Sequence, residues 1–197
     1  MGLFSSLFRQ KQNDKFVSPT DVKKQPDVLT TETNFEFYEK IVEVIVVSET
    51  LKNKLKTRLK QAFEKPNSFY DVNNNFILSE RGLTYPKDKS LTPKFVLIDI
   101  LQDNNQMAEV DWKEEEEDIR FALNRILEAK NYGFISSEAS NFGYKDTLEM
   151  IELINKEEIK SLGYSVEMLD INSDSYVFTV VPLERQQEVA AMFAKLK

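Results

Sequence analysis

The stretch "AEVDWKEEEED", residues 108–118, sets a tryptophan, a lysine and seven carboxylates in eleven positions. Two readings compete for it: an acidic site, or a strand that runs into a helix. In "MAEVDWK" the alternation sends Ala108, Val110 and Trp112 to one face and Glu109, Asp111 and Lys113 to the other, the period of two that marks a strand with one face in a core. Trp112 is therefore expected inside, on a strand spanning Met107 to Lys113. Beyond it, Glu114, Glu115, Glu116, Glu117 and Asp118 fall in the first turn of a helix whose inward stripe is Ile119, Ala122, Leu123, Ile126 and Leu127. Carboxylates are favoured there by the helix dipole and by backbone N–H groups that lack intrahelical acceptors. Most of the acidity thus has a structural cause.

The pair Glu109 and Asp111 is left over, on one strand face and roughly 6.5–7 Å apart. Two carboxylates so placed suit a hydrolase that divides acid and base roles between them, or a site for Mg²⁺ or Ca²⁺, both of which accept oxygen ligands without histidine. The same pair, with the exposed members of Glu114 to Asp118, equally suits first contact with a basic partner protein. A wet strand face carries alternating carboxylates with no function at all, so three readings stay open at this pair.

Composition narrows the field. The chain has 197 residues, 41% of them hydrophobic, enough for one domain with a real core plus some excess chain. It contains no cysteine, which removes disulfides, thiolate nucleophiles and Cys-ligated metal centres. It contains no histidine, which removes the usual general base and the usual pH switch near neutrality. A net charge of -7 argues against broad nucleic-acid binding, which needs surplus Lys and Arg to displace counterions from phosphates. The five glycines fall singly, so there is no Gly-rich phosphate cradle, and no cofactor is expected. Protein recognition survives all these exclusions, and a non-enzymatic protein-binding role is preferred over the carboxylate enzyme.

The N-terminal part reads as a tail. "MGLFSSLFRQK" puts Leu3, Phe4, Leu7 and Phe8 on one helical face ahead of Arg9 and Lys11, a pattern for a surface anchor, a docking helix or a frayed end. Gly2 and Ser6 also fit a short myristoylation pattern. No apolar run of about 18 residues spans a membrane and no secretory signal opens the chain, so a cytoplasmic location is expected. Residues 10–33 lack periodicity and read as a linker. The tail through Thr33 carries five basic and four acidic side chains, leaving 21 basic and 29 acidic for the domain over 34–197. Thr33 and Glu36 stand at the spacing of a capping box before an apolar run.

From Phe35 to Val47 a largely buried helix is expected, with strand a competitor because "IVEVIVV" is β-branched. Ser48 can cap a second helix with Leu51, Leu55, Leu59, Ala62 and Phe63 inward and a basic flank of Lys52, Lys56 and Lys60, either a landing strip for an acidic partner or an ordinary solvated surface. Residues 66–94 should be mostly irregular, with Tyr70, Arg81 and Tyr85 as contact residues, before the short buried helix in "PKFVLIDILQDNN". Gly133 is expected to stop the helix after the acidic run, and Asp146 or Thr147 to open another. Strands over Tyr164–Ile171 and Tyr176–Val181 form a hairpin through "NSDS", and Leu183–Leu196 closes the chain as a helix. The fold class is α+β, a small, mostly antiparallel sheet of three or four strands covered by helices.

The order of buried helix, "AEVDWKEEEEDI", amphipathic helix and the later "GYSVEMLDINSDSYVFTVVP" resembles a bacterial domain-of-unknown-function family of small cytoplasmic proteins, sometimes associated with immunity-type genes. The resemblance runs over about residues 35 to 197 and is carried chiefly by Asp111, Trp112 and Lys113. It implies no established activity and supplies no catalytic residue.

Overall fold

The computed structural model describes residues 34–70, 89–140 and 145–196. Leu3, Phe4, Leu7, Phe8, the linker, Arg81 and Tyr85 lie outside the described residues. Helices α1 (Phe35–Ile45) and α2 (Glu49–Glu64) open the domain, and α3 (Thr92–Asp103) leads into the short strand β1 (Ala108–Val110). Helices α4 (Glu116–Lys130) and α5 (Thr147–Ile154) follow. The hairpin β2 (Tyr164–Leu169) and β3 (Tyr176–Pro182) and the helix α6 (Gln186–Phe193) complete it. The expected α+β architecture is what the chain adopts.

The sheet has the order β1-β3-β2 and is antiparallel throughout. Its register sets Glu109 against Val177 and Val166 against Val180. Both faces are covered. Val177, Val181 and Leu169 join a core with α1, α2, α3 and α6, while Val110, Val166, Phe178 and Val180 join a second core with α4 and α5. A central strand buried on both sides is nearly continuously apolar, and "YVFTVVP" is so apart from Thr179. Its five middle residues are all buried.

Helix ends follow side-chain chemistry. Asn34, not Thr33, caps α1: its Oδ1 accepts the Phe37 N–H at 3.0 Å, so the expected Thr33–Glu36 box is replaced by an Asn cap one residue later. Ser48 caps α2 as expected, and Asp146 caps α5 by accepting the Glu149 N–H at 2.8 Å. The helix α4 stops at Asn131, which takes the left-handed conformation at φ 58°; Gly133, expected to do this, comes two residues too late. The stretch after α2 forms a 3₁₀ helix over Pro66–Tyr70, and Pro93 sits in the first turn of α3, where its missing N–H costs nothing.

Two buried basic side chains tie the layers together. Lys130, at the end of α4, donates to the Ile45 carbonyl at 2.8 Å, to Thr179 Oγ1 at 2.8 Å and to the Val180 carbonyl at 2.7 Å. It thus joins α4 to β3 and to the last turn of α1, whose carbonyls lack intrahelical donors. Arg120 is fully buried and holds Glu116, Glu158, the Ser136 carbonyl and Ser140.

A candidate binding cleft at the edge of the sheet

Strand β1 ends at Val110 because Asp111 makes a turn. The Lys113 N–H donates to Asp111 Oδ1 at 3.0 Å and the Glu114 N–H to the Asp111 carbonyl at 3.2 Å. An Asp side chain that captures the backbone two residues on is a standing competitor of strand pairing. Trp112 therefore leaves the sheet. It is 46% exposed, with the Lys113 ammonium 4.2 Å from its ring centre, and the expectation of a core tryptophan on a strand reaching Lys113 is corrected.

The same turn separates Glu109 from Asp111. Glu109 stays in the strand, half-buried, and its carboxylate accepts from Gln102 Nε2 at 3.3 Å and from the Ser175 hydroxyl. Asp111 is exposed in the turn. The two are not neighbours on a strand face as expected, yet both line a hollow of about 490 Å³ shared with Phe95, Ile171 and Asp174. Among the described residues there is no group of three or more Asp, Glu, His or Cys side chains placed to hold a metal ion.

The glutamate run divides. Glu114 precedes the helix: its N–H donates to Thr147 Oγ1 at 2.9 Å, and its Oε2 accepts the Asp111 N–H at 3.4 Å. Glu115 is the N-cap residue, without a side-chain capping bond, and α4 begins one residue later. Glu116 is buried, its Oε1 accepting from Arg120 Nε at 2.8 Å and from the Ser140 N–H at 2.8 Å, which withdraws it from any exposed acidic face. Glu115, Glu117 and Asp118 remain exposed.

Between the edge of β1 and α4 lies a cleft of about 400 Å³. Met107 to Val110 line it with Glu114 and, from α4, Asp118, Phe121 and Arg125. Phe121 is 63% exposed, and the Arg125 guanidinium sits 5.7 Å from its ring while bonding the Asn105 side chain. Sequence reasoning missed Phe121, Arg120 and Lys130. For the cations a signal was present, since positions 116, 120, 123, 127 and 130 follow the helical spacing of the inward stripe.

The basic flank of α2 is tied down in part: Glu43 on α1 pairs with Lys52 at 3.0 Å and Lys56 at 2.6 Å, which holds its own carboxyl below the usual range. These pairs are those of a solvated helix face.

An α+β domain with a three-stranded sheet and an acidic cleft at one sheet edge is the class the coordinates define. Residues 38–197 match the family described as a domain of unknown function, DUF6630, and the chain belongs to that family. No curated protein and no solved structure matches the chain. No helix among the described residues is long and apolar enough to cross a membrane.

Proposed function

We propose that the chain is a non-enzymatic protein-binding domain whose acidic corner, at the junction of β1 and α4, receives a basic partner protein. The observation that carries this reading is a cleft lined by Glu114, exposed Asp118 and the exposed aromatic Phe121, with Asp111, Trp112, Glu115 and Glu117 exposed in the adjoining turn and at the start of α4. Aromatic side chains left in water beside a charged rim are typical of recognition surfaces. The finer reading is a cytoplasmic, bacterial-type protein of the immunity kind, acting on a cationic toxin or nuclease; the net charge of -7 and the sequence resemblance support it. Attraction between opposite charges then sets the on-rate, which falls as salt screens it.

The test reverses Glu115, Glu117 and Asp118 to Lys together, leaving buried Glu116 in place, and confirms an unchanged melt. Loss of basic proteins captured from a lysate of the source cells is the expected result. Unchanged capture removes the acidic corner as the binding face.

A second reading, a carboxylate-dependent hydrolase or divalent-metal enzyme using Glu109 and Asp111, draws support from the hollow these residues share with Asp174. The Glu109 carboxylate already accepts two donors, which weighs against it. Saturable stabilisation by Mg²⁺ or Ca²⁺ that disappears in Asp111→Ala would reverse the preference.

A further inference from the structure

Strand β1 is the edge of its sheet, and among the described residues β3 is its one strand partner. A strand paired on one side directs backbone N–H and C=O groups outward on the other, a template for a further strand. The cleft is lined by the consecutive residues Met107, Ala108, Glu109 and Val110. A sheet face would contribute every second residue, so it is the strand's edge that faces the cleft. Gln102 from α3 and Phe121 from α4 stand on its two sides. The space is therefore a trough with strand backbone along its floor.

We propose that this trough takes an extended cationic segment of a partner protein, which adds to β1 as a fourth strand. The inference rests on the protein-binding reading above and specifies its mode.

Charge selects the occupant. Glu114 and Asp118 line the trough with Glu109, which also accepts from Gln102 and Ser175, and the one cation among the described residues lining it, Arg125, is engaged with Asn105 and Phe121. A second copy of this chain, edge to edge, would bring these carboxylates against their equivalents, and like charges on facing strands repel. A segment carrying Lys or Arg meets the opposite situation. Register adds a pattern to the charge. Ala108 and Val110 pair with Phe178 and Tyr176, on the side of the sheet that packs on α4, whereas Glu109 pairs with Val177, on the α3 side. Side chains of an added strand alternate likewise, so one set meets the Phe121 ring and the other meets Glu109. Alternating apolar and basic residues fit both.

The experiment uses the full chain and a fluorescein-labelled hexapeptide, Lys-Val-Lys-Val-Lys-Val, with two analogues. One is methylated at the backbone amide nitrogen of every Lys, the other at that of every Val. An added strand points only one of these sets at β1, so one analogue binds up to about tenfold more weakly than the parent, from the loss of one or two backbone hydrogen bonds, while the other retains its affinity. Phe121→Ser weakens the parent peptide without changing the melt. Equal binding by parent and both analogues overturns strand addition yet leaves the acidic binding face standing, whereas failure of the Lys reversals to alter capture removes that face itself. No binding by any of the three peptides, or dimerisation of the chain that competes with the parent peptide, overturns the cationic occupant.

Discussion

Arg120 and Glu158 meet through two hydrogen bonds, Nη2 to Oε1 at 2.7 Å and Nη1 to Oε2 at 3.1 Å, with the guanidinium wholly buried. The same guanidinium donates through Nε to Glu116, so one cation bridges two carboxylates from different elements of the chain. A buried charge group of this kind contributes little net stability relative to an apolar packing, but removing its cation strands the carboxylates. Arg120→Ala is expected to cost about 3–5 kcal/mol in urea unfolding, because Glu116 stays buried without the charge of Arg120 beside it. Glu158→Gln, at the partly exposed end of the pair, should cost clearly less. Equal costs would show that Glu116 relaxes to solvent when Arg120 is lost.

Lys130 supplies a pH test. Burial pushes its ammonium from 10.5 down to about 7. Below about 7 both folded and unfolded chains hold the proton and this residue gives no slope. Between about 7 and 10.5 the unfolded chain keeps a proton the folded chain has released, so stability rises with pH through that window. Its contribution approaches about 1.4 kcal/mol per pH unit. Buried Lys94 is also lowered by desolvation and acts in the same direction, which makes the difference between the wild type and Lys130→Met the quantity to measure. The wild type should gain stability from pH 7.5 to 10 relative to the variant. A constant difference would mean that the three acceptors around the amine keep it charged.

The elements with one clear period were legible in the sequence, and the cleft was not. In α2 the residues Leu51, Leu55, Leu59 and Ala62 repeat at helical spacing and all are buried. The hairpin over β2 and β3 announces itself by two runs of strand length, the second rich in β-branched residues, joined through "NSDS". At Asp111 two local rules conflict: alternation favours continuing the strand, while the Asp side chain offers the backbone a turn. Propensity has no means of ranking them, because the outcome depends on whether another strand lies beside residue 112. That β1 lies at the edge of the sheet among the described residues is a property of strand order, which no local pattern encodes.

Asn131 separates the two candidate stops of α4. At φ 58° it occupies the left-handed region, where Asn is tolerated, Gly is strain-free and Ala is not. Asn131→Gly should therefore leave the melting temperature unchanged or slightly raised, and Asn131→Ala should lower stability by about 1 kcal/mol. Gly133 has a φ of 98°, so Gly133→Ala should also destabilise, although open space around it means that backbone strain alone is responsible. Indifference to both Ala substitutions would show that the connection after α4 adapts freely.

Trp112 gives the test most directly tied to the binding corner. It is the single tryptophan, 46% exposed, in a turn between β1 and α4, with its ring against Lys113 rather than in either core. Its fluorescence should therefore be that of a solvated indole, quenched readily by acrylamide. Trp112→Ala, followed by circular dichroism because the fluorophore is gone, should cost less than about 1 kcal/mol, against the roughly 3–5 kcal/mol of a large aromatic lost from a core. Truncating an exposed aromatic at a recognition surface instead weakens binding, by about 2 kcal/mol or more where it anchors the partner. A variant that folds normally but captures less basic partner would place Trp112 in the interface. A loss of several kcal/mol in unfolding would instead mean that the ring packs against the domain in solution, and that the turn at Asp111 closes over it.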